Sequence, residues 1–115
     1  MRWSLILASS LAGASAALAA GVYDGNWTGT APDAGDCGVL TVQMTVVGDQ
    51  ITGTATGKHG SATIKPAAVG ADGTVRVIYA GPMTAFGGAV RFSRDRFTGN
   101  FDSFCGTRAV TGSRR

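Results

Sequence analysis

Glutamate is absent from the 115 residues, and histidine occurs only once, at His59. Cys37 and Cys105 are the only cysteines, so the acidic and sulfur ligands reduce to these two and seven aspartates. That inventory is poor for zinc and other transition-metal sites, which draw three or four ligands from His, Cys and carboxylates. No metal and no cofactor are expected. Paired-carboxylate chemistry would have to use two of the aspartates. Several of those sit in turn signals, where an Asp side chain bonds its own backbone. Beyond the first twenty residues no apolar run approaches the roughly 20 residues of a membrane-spanning helix, and no helical hydrophobic period appears. Neither an enzyme nor a membrane span is expected from what is missing.

The opening residues carry an address. Arg2 supplies a positive start, Leu5 to Leu18 is apolar apart from Ser and Gly, and Ala17-Leu18-Ala19 is a small-x-small cleavage pattern. Residues 1–19 therefore read as a signal peptide cleaved near Ala19, leaving residues 20–115 as a single all-β domain, secreted or periplasmic. No cysteine follows the apolar run, so lipid attachment is not indicated. In an oxidising compartment the two remaining cysteines read as a disulfide, Cys37 to Cys105. They lie 68 positions apart, and closing a loop of that length stabilises a chain by about 4 kcal/mol in the chain-entropy account.

Charge is divided along the chain. Residues 20–75 hold Lys58 and Lys65 against Asp24, Asp33, Asp36, Asp49 and Asp72. Residues 76–115 hold Arg76, Arg91, Arg94, Arg96, Arg108, Arg114 and Arg115 against Asp95 and Asp102. The net charge of +3 for the whole chain is too mild to indicate nucleic acid, but the local basic excess marks a candidate surface.

Alternation with period two dominates after residue 20. Leu40, Val42, Met44 and Val46 alternate with Thr41, Gln43 and Thr45, while Val75, Val77 and Tyr79 alternate with Thr74, Arg76 and Ile78. Phe86, Gly88, Val90 and Phe92 form a third inward series. Turn signals fall at Gly48-Asp49, Gly57 to Gly60, Asp72-Gly73 and Arg94-Asp95. About eight strands are predicted, near 23–31, 38–47, 50–56, 61–69, 73–80, 84–93, 96–102 and 105–112.

An internal echo supports the hairpins. Asp49-Gln50-Ile51-Thr52-Gly53 and Asp95-Arg96-Phe97-Thr98-Gly99 share one pattern. Two-residue loops then set Val46 opposite Ile51, Met44 opposite Gly53, Phe92 opposite Phe97 and Val90 opposite Gly99. Each of those glycines leaves room for a bulky neighbour or a strand bend. Short connections throughout favour a small antiparallel up-and-down barrel, which removes exposed sheet edges; a two-sheet β-sandwich is the alternative. In the barrel, strand 8 returns beside strand 1 and brings Cys105 toward Cys37. Trp27 then plugs one end, with Phe92, Phe97 and Phe101 inside. Many inward Gly and Ala favour a packed core over a lined ligand cavity.

His59, between a Lys and glycines, reads as a solvated turn, and Ser61, Ser93 and Ser103 lack a nucleophile-elbow context. Arg91 and Arg96 point outward on neighbouring strands with Arg94 at the loop between them, a group able to engage carboxylates, sulfates or phosphates. Arg114 and Arg115 end the chain and are read as frayed. Outward Thr41, Gln43 and Thr45 face Thr56, Thr54 and Thr52; such rows can present regular hydroxyls to a carbohydrate or to ice, but they are also ordinary residues for a wet sheet face, which is the reading favoured. Asn26-Trp27-Thr28 matches a glycosylation sequon, relevant only in a eukaryotic secretory pathway.

The ensemble Tyr23-Asp24-Gly25-x-Trp27-x-Gly29, Cys37-Gly38, Gly48-x-x-Ile51-Thr52-Gly53, Asp72-Gly73, Phe97-x-Gly99 and Cys105-Gly106 resembles small exported bacterial β proteins of unknown function. In outline it also looks like the lipocalin-type barrels, including avidins and the periplasmic inhibitors of secreted metalloproteases, which often begin with a Gly-x-Trp strand. Other motifs of those groups are missing, and no ligand-contacting residue is carried over. The expected function is an exported non-enzymatic binding protein, monomeric, engaging a protein or an anionic ligand. The alternative is an inhibitor of a secreted hydrolase (a protease or lysozyme), using Ala20 to Asp24 or a loop.

Overall fold

A computed structural model describes residues 21–81 and 85–115. The expected signal peptide, residues 1–19, lies outside the described residues. Eight strands follow in order: β1 Gly25–Ala31, β2 Leu40–Val47, β3 Gln50–Gly57, β4 Gly60–Ala68, β5 Thr74–Ala80, β6 Ala85–Ser93, β7 Arg96–Ser103 and β8 Gly106–Arg114. A short 3-10 helix, Gly35–Cys37, lies between β1 and β2. Each strand pairs antiparallel with the next, and β8 closes on β1, so the sheet is a barrel with no free edge and not a sandwich.

Local chemistry explains the hairpins. Gly48 and Asp49 both take positive φ, 56° and 65°, the backbone of a two-residue turn whose twist matches its strands. The resulting register sets Val46 opposite Ile51 and Met44 opposite Gly53. The β6–β7 hairpin repeats it with Phe92 opposite Phe97 and Val90 opposite Gly99, and Arg94 at its turn adopts φ 50°. A register shift between Ile51 and Gly53 marks a bulge in the β3–β4 pairing. Pro66 lies on the β4 side of that shift, where its missing N–H cannot join a regular ladder. The β4–β5 pairing is the shortest in the barrel, only Thr63–Ala80 and Ile64–Tyr79.

Period-two alternation decides what is inside. Val42, Met44, Val46, Ile51, Ile64, Val75, Val77, Val90, Phe92, Phe97, Phe101 and Val110 are buried together with Trp27. The interior around Phe97 is filled, because a methyl on Gly29 or Gly112 would collide with that ring. Gly88 and Gly99 make the same allowance for Phe101. The glycines are therefore sockets for two phenyl rings.

Candidate functional site

Two arginines of β8 share the inward parity of Val110 and secure opposite ends of the barrel. At the end carrying the β2–β3 and β6–β7 turns, Arg114 pairs in register with Trp27 and sets its guanidinium 4.6 Å from that ring's centre. One Nη donates to the carbonyls of Val22 (3.0 Å) and Asp24 (2.9 Å), and the other to the Arg94 carbonyl at 2.6 Å. Nε faces Asp95 Oδ1 at 3.3 Å. The indole Nε1–H of Trp27 donates to the Tyr23 carbonyl at 2.9 Å, with Phe92 against both aromatic rings. Arg114 is thus not frayed. The segment Val22–Asp24 leaves carbonyls with no strand partner, and a planar fork of donors satisfies two of them at once.

Arg108 does the same at the disulfide end. It is buried, and Nη2 donates to the carbonyls of Pro32 (2.7 Å) and Gly38 (2.8 Å). These bonds draw the β1–β2 connection over the mouth, where Cys37 and Cys105 are joined with their Cα atoms 6.4 Å apart. Sequence reasoning counted Arg108 only as part of the basic half. Its parity with Val110 is the signal that places it inside. Nearby, the buried Tyr79 hydroxyl has no hydrogen-bond partner among the described residues. Burial, with Asp102 adding a like-charge effect, pushes its pKa up from 10.0 to about 12.

Of the residues considered for catalysis, His59, Ser61 and Ser103 are taken up in separate structural bonds, and Ser93 is exposed at the end of β6. His59 is exposed, and its Nε2–H donates to the Asp36 carbonyl at 2.9 Å. Ser61 Oγ bonds Thr56 Oγ1, and Ser103 Oγ donates to the Gly106 carbonyl while accepting the Cys105 N–H. Among the described residues no three His, Cys, Asp or Glu side chains come together, and no helix is long and apolar enough to cross a membrane.

The outward arginines form the remaining cluster. Arg91 lies opposite Thr98, and Arg96 opposite Ser93, which makes Arg91 and Arg96 diagonal neighbours on β6 and β7. Arg76 lies opposite Ala89, and Thr74 opposite Arg91, so Arg76 continues the same diagonal on β5. Diagonal neighbours on a sheet face are about 7–8 Å apart. All three arginines are exposed. Arg94 belongs to the turn beneath them, its carbonyl taken by Arg114. Among the described residues the single ion pair is Arg114–Asp95, so Arg76, Arg91, Arg94 and Arg96 have no carboxylate at bonding distance. Asp72 is the acidic neighbour. The Thr74 hydroxyl (2.7 Å) and N–H (3.1 Å) donate to its carboxylate and, with the charge of Arg91, hold its pKa below 3.8.

A groove of about 550 Å³ runs between Arg76 and Arg91, with Ala89 between them and Thr74, Thr98 and Asn100 alongside. Ala89 is the reason for the depression, since a small residue stands where the diagonal arginines leave space. Sequence reasoning grouped Arg91, Arg94 and Arg96 and left out Arg76, because joining β5 to them requires the β5–β6 register. Comparisons of the chain with protein-family models, with curated proteins and with solved structures find no match.

Proposed function

We propose that the protein is an exported, non-enzymatic binding protein whose anionic partner docks on the outer face of β5, β6 and β7. The observation that carries this reading is the diagonal of Arg76, Arg91 and Arg96, exposed and with no carboxylate at bonding distance among the described residues, beside a groove that carries Thr74, Thr98 and Asn100. A guanidinium presents a fixed fork of donors that matches carboxylate, sulfate or phosphate oxygens. Arg94, on the turn below, extends the same positive field.

The test is titration of the protein with poly-aspartate at low and moderate salt. Wild type is expected to bind with a salt-dependent affinity, and the triple variant Arg76→Ala/Arg91→Ala/Arg96→Ala to weaken by at least about tenfold, equivalent to about 1.4 kcal/mol. Equal affinities for the two proteins would remove the site.

One observation favours the inhibitor reading as a second. Phe104 is 84% exposed at the apex of the β7–β8 turn, which the disulfide and both Ser103 bonds hold in place. A pre-organised aromatic of that kind suits an enzyme cleft. The segment Val22–Asp24 is instead held down by Arg114, so the Phe104 turn is the element that projects. Unchanged activity of secreted proteases and lysozymes mixed with the protein would dismiss this reading.

A further inference from the structure

Resting on the arginine face described above, we infer that the partner is an anionic polysaccharide, bearing carboxylate or sulfate groups, laid obliquely across the outside of the barrel. The diagonal does not stop at Arg96. Arg96 lies opposite Ser113 on β8, and the Arg115 N–H donates to the Asn26 carbonyl at 2.8 Å. Arg115 is therefore the next outward position of that ladder. Arg76, Arg91, Arg96 and Arg115 thus fall on one diagonal of the strand ladder, one per strand and each two residues further toward the same barrel end. With strands about 4.8 Å apart and a rise of about 3.3 Å per residue, the line is roughly 25 Å long. A track of that length fits a chain of repeated charges better than a single small anion.

Two surface grooves adjoin this line, the first at Arg76 and Arg91 and the second running sideways from Arg115 across β1 to β3, and both carry neutral hydrogen-bonding side chains. The first holds Thr74 beside Arg76, and Thr98 and Asn100 on the β7 side of Arg91. The second, about 240 Å³, is bounded by Arg115 and continues over Asn26, Gln43, Thr45 and Thr54. Hydroxyls and amides that both donate and accept are suited to sugar hydroxyls, while the guanidinium forks suit the acid groups between them. The outer strand faces carry no aromatic side chain: Phe104, in a turn at the opposite end, is the only large exposed aromatic among the described residues. Nucleobases would have no stacking platform here. Nor is there an apolar patch to enter a lipid layer, since Ile78 is the only large exposed apolar residue on β5 to β7.

The experiment is calorimetric titration of the protein with polygalacturonate and dextran sulfate, against poly-aspartate, single-stranded poly(dT) and anionic phosphatidylserine vesicles. One or both polysaccharides are expected to bind at least about tenfold more tightly than the other three. Asn100→Ala and Gln43→Ala, both at exposed positions, are each expected to weaken polysaccharide binding by about 3- to 10-fold, the value of a hydrogen bond. Their affinity for poly-aspartate should stay within about twofold. Urea midpoints equal to wild type establish that these variants are folded. If poly(dT), vesicles or poly-aspartate bind as tightly as the polysaccharides, or the two amide variants bind like wild type, the polysaccharide assignment falls and the arginine face stands. If no anion binds, or the triple arginine variant matches wild type, both fall.

Discussion

Replacing Arg114 with Met is the most direct test of how the barrel end is held. Met keeps an apolar stem of similar length over Trp27 but removes the fork. Three charge-assisted bonds to carbonyls are lost, those to Val22, Asp24 and Arg94, together with the cation over the indole face. Hydrogen bonds to a charged group contribute about 1.5–3 kcal/mol each when buried, and a cation on an aromatic face about 0.5–2 kcal/mol. The Arg114 side chain is 24% exposed, and carbonyls at a barrel end regain water once the fork is gone. Each bond therefore counts below the buried range, at about 1 kcal/mol or slightly less, and with about 0.5 kcal/mol from the cation the net loss is about 3 kcal/mol. Asp95 is 83% exposed, so its ion pair contributes less than about 1 kcal/mol. In a domain of this size the loss corresponds to a fall in Tm of roughly 12–24 °C. Urea unfolding should show a lower midpoint at unchanged slope. Arg114→Lys, which keeps the charge and loses the planar fork, should fall close to Met, while Asp95→Ala should cost less than about 0.5 kcal/mol. A loss below about 1 kcal/mol for Met, or a Lys variant as stable as wild type, would refute the fork as the holding element.

Gly112→Ala is expected to cost at least about 3 kcal/mol or to prevent folding, because its methyl would meet the Thr28 carbonyl, the Phe97 ring and the Gly29 backbone. Gly57→Ala, whose nearest neighbour would be Leu40 Cδ1 at 3.9 Å, should stay within about 1 kcal/mol in the same urea assay. Tyr79→Phe removes a buried hydroxyl that has no partner among the described residues and is expected to be neutral or stabilising by up to about 1 kcal/mol. The folded tyrosine holds its proton to about pH 12 against 10.0, so the unfolded state loses it first and stability falls as pH rises between those values. Tyr79→Phe should flatten that alkaline slope in unfolding curves recorded across the window. Replacing Cys37 and Cys105 together by Ala opens a loop of 68 residues and should cost about 4 kcal/mol, measured against the oxidised protein.

The sequence determined the strands and their faces. Side chains alternate with period two, so inward residues such as Val42, Met44, Phe92 and Phe97 announce themselves by parity. The Gly48-Asp49 and Arg94-Asp95 turns then set the hairpin registers, and eight strands with short loops favour a closed barrel over the alternative sandwich. Arg91 and Arg96 were readable as outward neighbours for the same reason, since one hairpin contains both.

What only the tertiary structure decided depends on strands far apart in the chain. Arg114 clamps Val22 and Asp24, and Arg108 clamps Pro32 and Gly38, across sequence separations of 70 to 92 residues. The closure of β8 on β1 makes those contacts, and no local pattern specifies it. The β5–β6 and β7–β8 registers place Arg76 and Arg115 in line with Arg91 and Arg96, with the Arg115 backbone held against β1. Parity is a local property of a strand, so it can be read along a sequence. A line that crosses four strands is set by the pairing of each strand with the next, and no single strand carries it.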